Sequence, residues 1–198
     1  MPPPSLASVN DALILFRMDH YHYLQELERI WSASVEKHRG GNREPETYLN
    51  ADERSFIQFI GLTIMDIYDF AEDFADRGEP DFPTFVAIHD IRRSYFFEVQ
   101  KAKPSEHTLD TATLPAKEDA VAGIPWLPRI LPKARAKLRG ELSPDIMYCC
   151  GGDRRFFKEN NIHPAEFLRL VWEKGENDDF IIQWVSERRK SVAVTETA

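Results

Sequence analysis

Residues 50–78, NADERSFIQFIGLTIMDIYDFAEDFADRG, decide the fold of this chain. Asn50 can cap a helix, Glu53 stands three residues later as in a capping box, and Gly78 is typical of a helix end. One largely apolar face recurs at helical spacing and consists of Phe56, Ile60, Thr63, Ile67, Phe70 and Phe74. The stretch therefore predicts one long amphipathic helix.

Two further long helices flank this stretch. Apolar residues at helical spacing predict the first over residues 10–38 and the third over residues 84–101. The connections are short, which favours an up-down bundle. We therefore predict an N-terminal bundle of three long helices over residues 1–103.

The rest of the chain predicts a smaller helical unit. Residues 104–123 are rich in Pro and Thr without a clear period, so we expect a linker or covering loop there. Helical spacing resumes over residues 124–190, and residues 191–198 are expected to form a disordered tail. No alternating strand pattern is evident, and the predicted fold class is all-α.

Composition restricts the classes of function. The 198 residues carry a net charge of −8, which disfavours nucleic acid or an anionic membrane as the main partner. No apolar run is long enough to span a bilayer, and the N-terminus lacks the regions of a secretory signal. The two cysteines are adjacent and offer no disulfide framework, so we expect a cytoplasmic protein. Its oligomeric state is left open.

Four aspartates form an acidic row on the predicted second helix. At about 100° per residue, Asp66, Asp69, Asp73 and Asp76 fall within roughly 80° of one another. A carboxylate row beside an aromatic face is where a helical bundle can hold a divalent cation. We predict Asp66, Asp69 and Asp73 as metal ligands.

Histidines and arginines on the neighbouring helices can complete this site. The candidates to complete the metal site are His20, His22 and His89. Carboxylates alone suit Mg, whereas mixed sets with imidazole suit Mn, Fe or Zn. Arg92 and Arg93 would neutralise substrate charge. The leading hypothesis is a metal-dependent hydrolase acting on a small anionic, phosphorylated substrate.

The same residues allow a non-catalytic alternative. The aspartates can face water or pair with Arg92, Arg93 and Lys101, as exposed carboxylates commonly do. The chain would then be a helical protein–protein interaction module. Its candidate anchors are Trp31, Trp126, Trp172 and the cluster Tyr95, Phe96 and Phe97.

A second candidate site lies in the C-terminal part and consists of Cys149, Cys150, Gly151, Gly152, Asp153 and Arg154. Two glycines at a helix start let backbone N–H groups bind an anion. Arginines and the helix dipole would favour a thiolate at Cys150, with His163 as a candidate base. The alternative is a structural turn with small buried thiols.

A basic run precedes that site, with Arg129, Lys133, Arg135, Lys137 and Arg139 on one predicted helix. It can dock an acidic partner or the aspartate row of the same chain. The alternative is a solvated helix face. No stacking aromatics interrupt the run, which disfavours nucleic-acid binding.

The C-terminal third resembles a known family. The features that carry the resemblance are Leu127-Pro128-Arg129, Lys133-Ala134-Arg135-Ala136, Gly140, Asp153-Arg154-Arg155-Phe156 and Trp184-Val185. Over residues 126–185 they are similar to a bacterial helical domain family of unknown function. The resemblance implies a helical fold for this third and brings no activity with it.

Overall fold

The computed structural model describes residues 20–195, with side chains described for residues 22–190. The described residues are mostly helical, which confirms the predicted all-α class. The helices are α1 His20–Arg39, α2 Ala51–Phe59, α3 Ile64–Arg77, α4 Phe82–Glu98, α5 Leu127–Arg139, α6 Gly151–Glu159, α7 Pro164–Lys174 and α8 Asp178–Thr195.

One small antiparallel hairpin, absent from the prediction, precedes α5. Strands β1 Ala120–Val121 and β2 Ile124–Pro125 pair Ala120 with Pro125 and Val121 with Ile124. Ala122 and Gly123 both have positive φ, as a two-residue hairpin turn of the primed type requires. Two residues per strand are too few for an alternating pattern to be recognised.

The predicted single helix over residues 50–78 is wrong, because the chain turns between α2 and α3. Gly61 has a φ of +81°, and a Cβ there would lie 2.5 Å from Cγ of Phe96. Thr63 then caps α3, and the Asp66 carboxylate accepts the Thr63 backbone N–H at 2.8 Å. The aspartate row therefore begins in the first turn of a new helix.

The core is continuous across the chain. α1 packs on α3, whereas α4 packs on α5 and α7. A single hydrophobic cluster includes buried residues from both parts, among them Leu27, Phe85, Leu127 and Phe167. α4 thus connects the predicted N-terminal bundle to the predicted C-terminal unit. The domain boundaries themselves stay a prediction.

The residues before the hairpin contact α5 and Glu141, which follows its end, and the linker or covering loop over residues 104–123 stays a prediction. The Arg129 guanidinium donates to the Pro115 carbonyl at 2.6 Å, and the Leu109 backbone N–H donates to the Glu141 carbonyl at 2.7 Å. Within residues 20–195, no helix is both long enough and apolar enough to cross a membrane.

The two chain ends differ from the predicted bounds. α8 continues to Thr195, so residues 191–195 are helical rather than part of a disordered tail. Residues 10–19 of the predicted first helix, and residues 196–198, lie outside the described residues.

Candidate functional site

A cleft of about 550 Å³ lies between α3, the start of α5 and the start of α6. α3 contributes Asp69 and Asp73, and α6 contributes Gly151 and Gly152 with the preceding Cys150. The fold therefore brings part of the aspartate row and part of the cysteine–glycine segment to one place. Its volume is within the range typical of small-molecule sites.

One side of the cleft, here called the basic wall, carries Lys117, Arg129, Lys133 and Arg155. Lys117 and Arg155 are exposed and make no hydrogen bond or ion pair within the described residues. Lys133 is only 3% exposed, and its ammonium donates to an Asp153 oxygen at 2.5 Å and to the Cys150 sulfur at 3.5 Å. The wall therefore combines two exposed cations that have no partner within the described residues with one fixed ammonium.

Asp153 holds the basic wall in place. Its carboxylate is fully buried and accepts the Trp126 indole N–H at 2.9 Å, the Lys133 ammonium, and the Cys149 backbone N–H at 2.9 Å. Both oxygens are thereby occupied, so Asp153, predicted within the anion or thiol site, positions its neighbours. A buried acid with three donors is expected to keep them rigid.

Two of the described non-glycine residues with positive φ lie beside the cleft. Trp126 and Cys149 have φ values of +69° and +74°, in the left-handed region that residues with a Cβ seldom adopt. Residues in such conformations persist only where the surrounding structure holds them in place, and they are often found at functional sites. Packing explains why residue 152 is a glycine, since a Cβ there would lie 2.3 Å from a Trp126 ring carbon.

Two of the predicted metal ligands are occupied by cations of the chain itself. Asp66 accepts from the Lys137 ammonium and lies 3.6 Å from the His89 imidazole. Burial opposes its ionisation most strongly, but the charge of Lys137 and the contacts with His89 and Lys137 together outweigh burial and hold the pKa of Asp66 well below its ordinary value. Asp73 accepts from the Arg154 guanidinium at 2.6 Å. Arg154, predicted in the anion site, therefore ties α6 to α3.

Asp69 differs from both neighbours in the row. It lines the cleft and makes no hydrogen bond or ion pair within the described residues. Burial, together with the negative charges of Asp66 and Glu72, raises the pKa of Asp69 to about 7. A carboxyl group that titrates near neutral pH can exchange protons with a bound molecule.

The predicted histidines do not meet in the cleft. His89 is fully buried, donates through Nδ1 to the Phe85 carbonyl at 2.7 Å and accepts the Lys137 ammonium on Nε2 at 2.8 Å. Burial lowers the pKa of His89 to about 4, so it is neutral at pH 7. His22 is exposed on α1, and the His20 side chain lies outside the described residues.

Arg92 and Arg93 are buried away from the cleft lining. Arg92 donates to the Gln100 side chain at 2.7 Å, and its guanidinium carbon lies 5.2 Å from the Phe96 ring centre. The Arg93 guanidinium carbon lies 4.3 Å from the ring centre of Tyr23. Both therefore have packing roles, and the cations that line the cleft come from α3, α5, α6 and the loop before the hairpin instead.

The cysteines separate into a buried and a cleft-facing thiol. Cys149 is buried, and burial raises the pKa of its thiol far above the ordinary value. Cys150 lines the cleft beside Lys133. His163 caps α7 by accepting the Ala165 backbone N–H at 3.2 Å and lines a different cavity of about 410 Å³. The expected pairing of Cys150 with His163 is therefore not formed.

No three described His, Cys, Asp or Glu side chains are placed to hold a metal ion together. The basic run accounts for part of this absence, because Lys137 docks on the aspartate row of the same chain. Docking on the aspartate row, one of the three alternatives for the run, is confirmed for Lys137, and the solvated-face alternative fails for the buried Lys133 and Lys137. Trp126 and Lys117 had no predicted place at this cleft, because neither belongs to a recognisable motif.

The fold and the cleft define an all-α protein with a charged cleft between its helices. Residues 112–198 match the family model described as a domain of unknown function (DUF5069), in agreement with the resemblance to such a family over residues 126–185. The match includes the basic wall and Cys150, whereas Asp69 and Asp73 precede it. No curated protein and no solved structure matches the chain.

Proposed function

We propose that the cleft binds a small phosphorylated molecule. The observation that carries this proposal is the basic wall, where Arg155 and Lys117 have no partner within the described residues and the buried Lys133 is fixed in the cleft lining. An ammonium has three donors, and two of those on Lys133 are used by Asp153 and Cys150. The third is available to a phosphate oxygen, with guanidinium groups for bidentate contacts.

The start of α6 adds to this attraction. The N-terminus of a helix has unpaired N–H groups and a positive dipole end, and Gly151 and Gly152 lie there in the cleft lining. Opposite it, Asp73 is neutralised by Arg154 and Arg77. The acidic side of the cleft therefore repels an anion less than its formal charges suggest.

Hydrolysis of the bound molecule is the reaction that the cleft fits best. Asp69 is the carboxyl group available for proton transfer, since it has no partner within the described residues and titrates near pH 7. We expect release of inorganic phosphate from a panel of phosphomonoesters by the wild type and its loss in Asp69→Asn. The divalent-metal prediction and the cytoplasmic location remain separate predictions.

Binding is tested with inorganic phosphate, followed by amide chemical shifts in NMR spectra. We expect saturable shifts at Gly151 and Gly152 and at least about tenfold weaker binding in Arg155→Gln, because one bidentate contact is lost. The matched control is Arg169→Gln, which removes an exposed arginine of α7 outside the cleft lining. Equal affinity of the two variants would contradict the proposal.

The interaction-module alternative has less support. Of its predicted anchors, Trp31, Phe96 and Phe97 are buried in the protein itself, and Tyr95 packs edge-to-face on Trp172 at 5.5 Å. Hot-spot residues have to be accessible in the free protein. That alternative predicts a molecular mass that rises with protein concentration.

A further inference from the structure

A second cavity of about 390 Å³ adjoins the cleft. Lys117, Trp126, Gly152 and Arg155 line both spaces. We call the second space the ring cavity. A ligand anchored on the basic wall can therefore extend past Trp126 without crossing the protein interior.

The ring cavity has a different chemistry from the cleft. Pro125, Trp126 and Phe156 give it apolar and aromatic surface, and Glu118 and Glu159 lie at its edge. Both glutamates are exposed and make no hydrogen bond within the described residues. Their carboxylates can accept hydrogen bonds from an amino group, whereas they would repel a second phosphate.

Trp126 is held rigidly between the two spaces. Its indole N–H is bonded to Asp153, its ring edge lies against Gly152, and its backbone is fixed in the left-handed region. An aromatic ring that is already immobilised loses little entropy when a planar group stacks on it. Stacking of a base on such a ring contributes a measurable part of the binding free energy.

We infer that the cleft and the ring cavity together bind a nucleotide, with its phosphate on the basic wall and an amino-bearing base against Trp126. This inference rests on the proposed function and narrows its ligand class. A base supplies a planar face for Trp126 and an exocyclic amino group for Glu118 or Glu159. A sugar phosphate without a base would leave the ring cavity unused.

Isothermal titration calorimetry of Asp69→Asn, which should bind phosphomonoesters without hydrolysing them, separates the two parts of this ligand. The probes are AMP, ribose 5-phosphate, adenosine and IMP, which lacks the amino group. We expect AMP to bind at least about tenfold more tightly than ribose 5-phosphate or adenosine, because stacking and phosphate contacts act together. IMP should bind more weakly than AMP.

Variants of the ring cavity give the matched control. Glu118→Gln combined with Glu159→Gln should reduce the preference for AMP over IMP and leave ribose 5-phosphate binding unchanged. Both positions are exposed, so thermal unfolding should show an intact fold. Trp126→Phe keeps an aromatic ring and should retain part of the preference for AMP over ribose 5-phosphate. Trp126→Ala should reduce the affinity for AMP to that for ribose 5-phosphate.

The outcomes distinguish this inference from the proposed function. Equal binding of AMP and ribose 5-phosphate overturns the inference and leaves the proposed function intact. Equal binding of AMP and adenosine, without any binding of ribose 5-phosphate, overturns both, because the phosphate would then contribute nothing. Absence of binding by all four probes also overturns both.

Discussion

Lys133 and Lys137 lie one turn apart on α5 and are both almost completely buried, yet they have different surroundings. Lys137 donates to Asp66 of α3 and to His89 of α4, within the protein. Lys133 shares Asp153 with Trp126 and faces the cleft. A buried charge whose partners come from several helices has a structural role, whereas one fixed at a cavity is available to a ligand.

The same contrast separates the aspartates on α3. Asp66 and Asp73 are paired with cations from α5 and α6, whereas Asp69 between them has no partner in the part of the chain that the structure describes and lines the cleft. Pairing stabilises the ionised form, and burial without pairing opposes it. The pKa of Asp66 is accordingly low and that of Asp69 is about 7.

The largest expected effect comes from breaking the structural lysine. Lys137→Met leaves the ionised Asp66 without its cation in a buried environment, and we expect a loss of about 3–5 kcal/mol in the free energy of unfolding. The measurement is urea unfolding at pH 7. Combining it with Asp66→Asn should recover part of the loss, because the uncompensated charge is then removed.

Arg135→Met is the matched control for that experiment. Arg135 is on the same helix and pairs with the exposed carboxylates of Glu176 and Asp178. Pairs of that kind contribute about 0–1 kcal/mol. If Lys137→Met cost no more than Arg135→Met, the buried contacts of Lys137 would have no special structural role.

An intermediate effect distinguishes the unpaired aspartate from its paired neighbour. Folding raises the pKa of Asp69 from 3.8 to about 7, so the protein loses stability as the pH rises between these values. Asp69→Asn removes that cost. Its free energy of unfolding should exceed that of the wild type by on the order of 2–4 kcal/mol at pH 8, and the difference should vanish near pH 4.

Thermal and urea unfolding across this pH range measure the difference. Asp73→Asn should instead destabilise the protein at pH 8, because it breaks the contact with Arg154. A difference between Asp69→Asn and the wild type that stays constant from pH 4 to pH 8 would show that Asp69 does not titrate in this range.

Local signals in the sequence predicted the pieces of the site but not their assembly. The capping box at Asn50 and the glycine end at Gly78 were both correct as helix ends. The break at Gly61 was missed although it carries local signals, a glycine followed by Thr63 and Asp66 at capping-box spacing. Helical periodicity continues across such a turn, so the pattern alone cannot reveal it.

Docking of the basic run on the aspartate row was among the predictions, but the individual pairs of residues could not be assigned from the sequence. Asp66 and Lys137 are 71 positions apart, and Asp73 and Arg154 are 81 positions apart. The spacing of the aspartates identified which of them share a face, but not which cation each one meets. Only the ion pairs of α3 with α5 and α6 separate the structural carboxylates from that of Asp69, which has no partner within the described residues.

The smallest expected effect concerns the predicted divalent metal. A metal bound by Asp66, Asp69 and Asp73 would have to displace Lys137 and Arg154 from two of the three carboxylates. Each displacement leaves a buried cation without its partner, which is costly. We therefore expect EDTA to leave the melting temperature unchanged. A lower melting temperature in EDTA, restored by Mn, Fe or Zn, would contradict this expectation.

The same measurement should be repeated with phosphate present. Asp69 could share a Mg ion with a phosphate on the basic wall, and such an ion would need no displacement of Lys137 or Arg154. In that case Mg and phosphate together would raise the melting temperature more than either alone, and Asp69→Asn would abolish the joint effect. An equal joint effect in Asp69→Asn would place the ion elsewhere and leave Asp69 free for proton transfer.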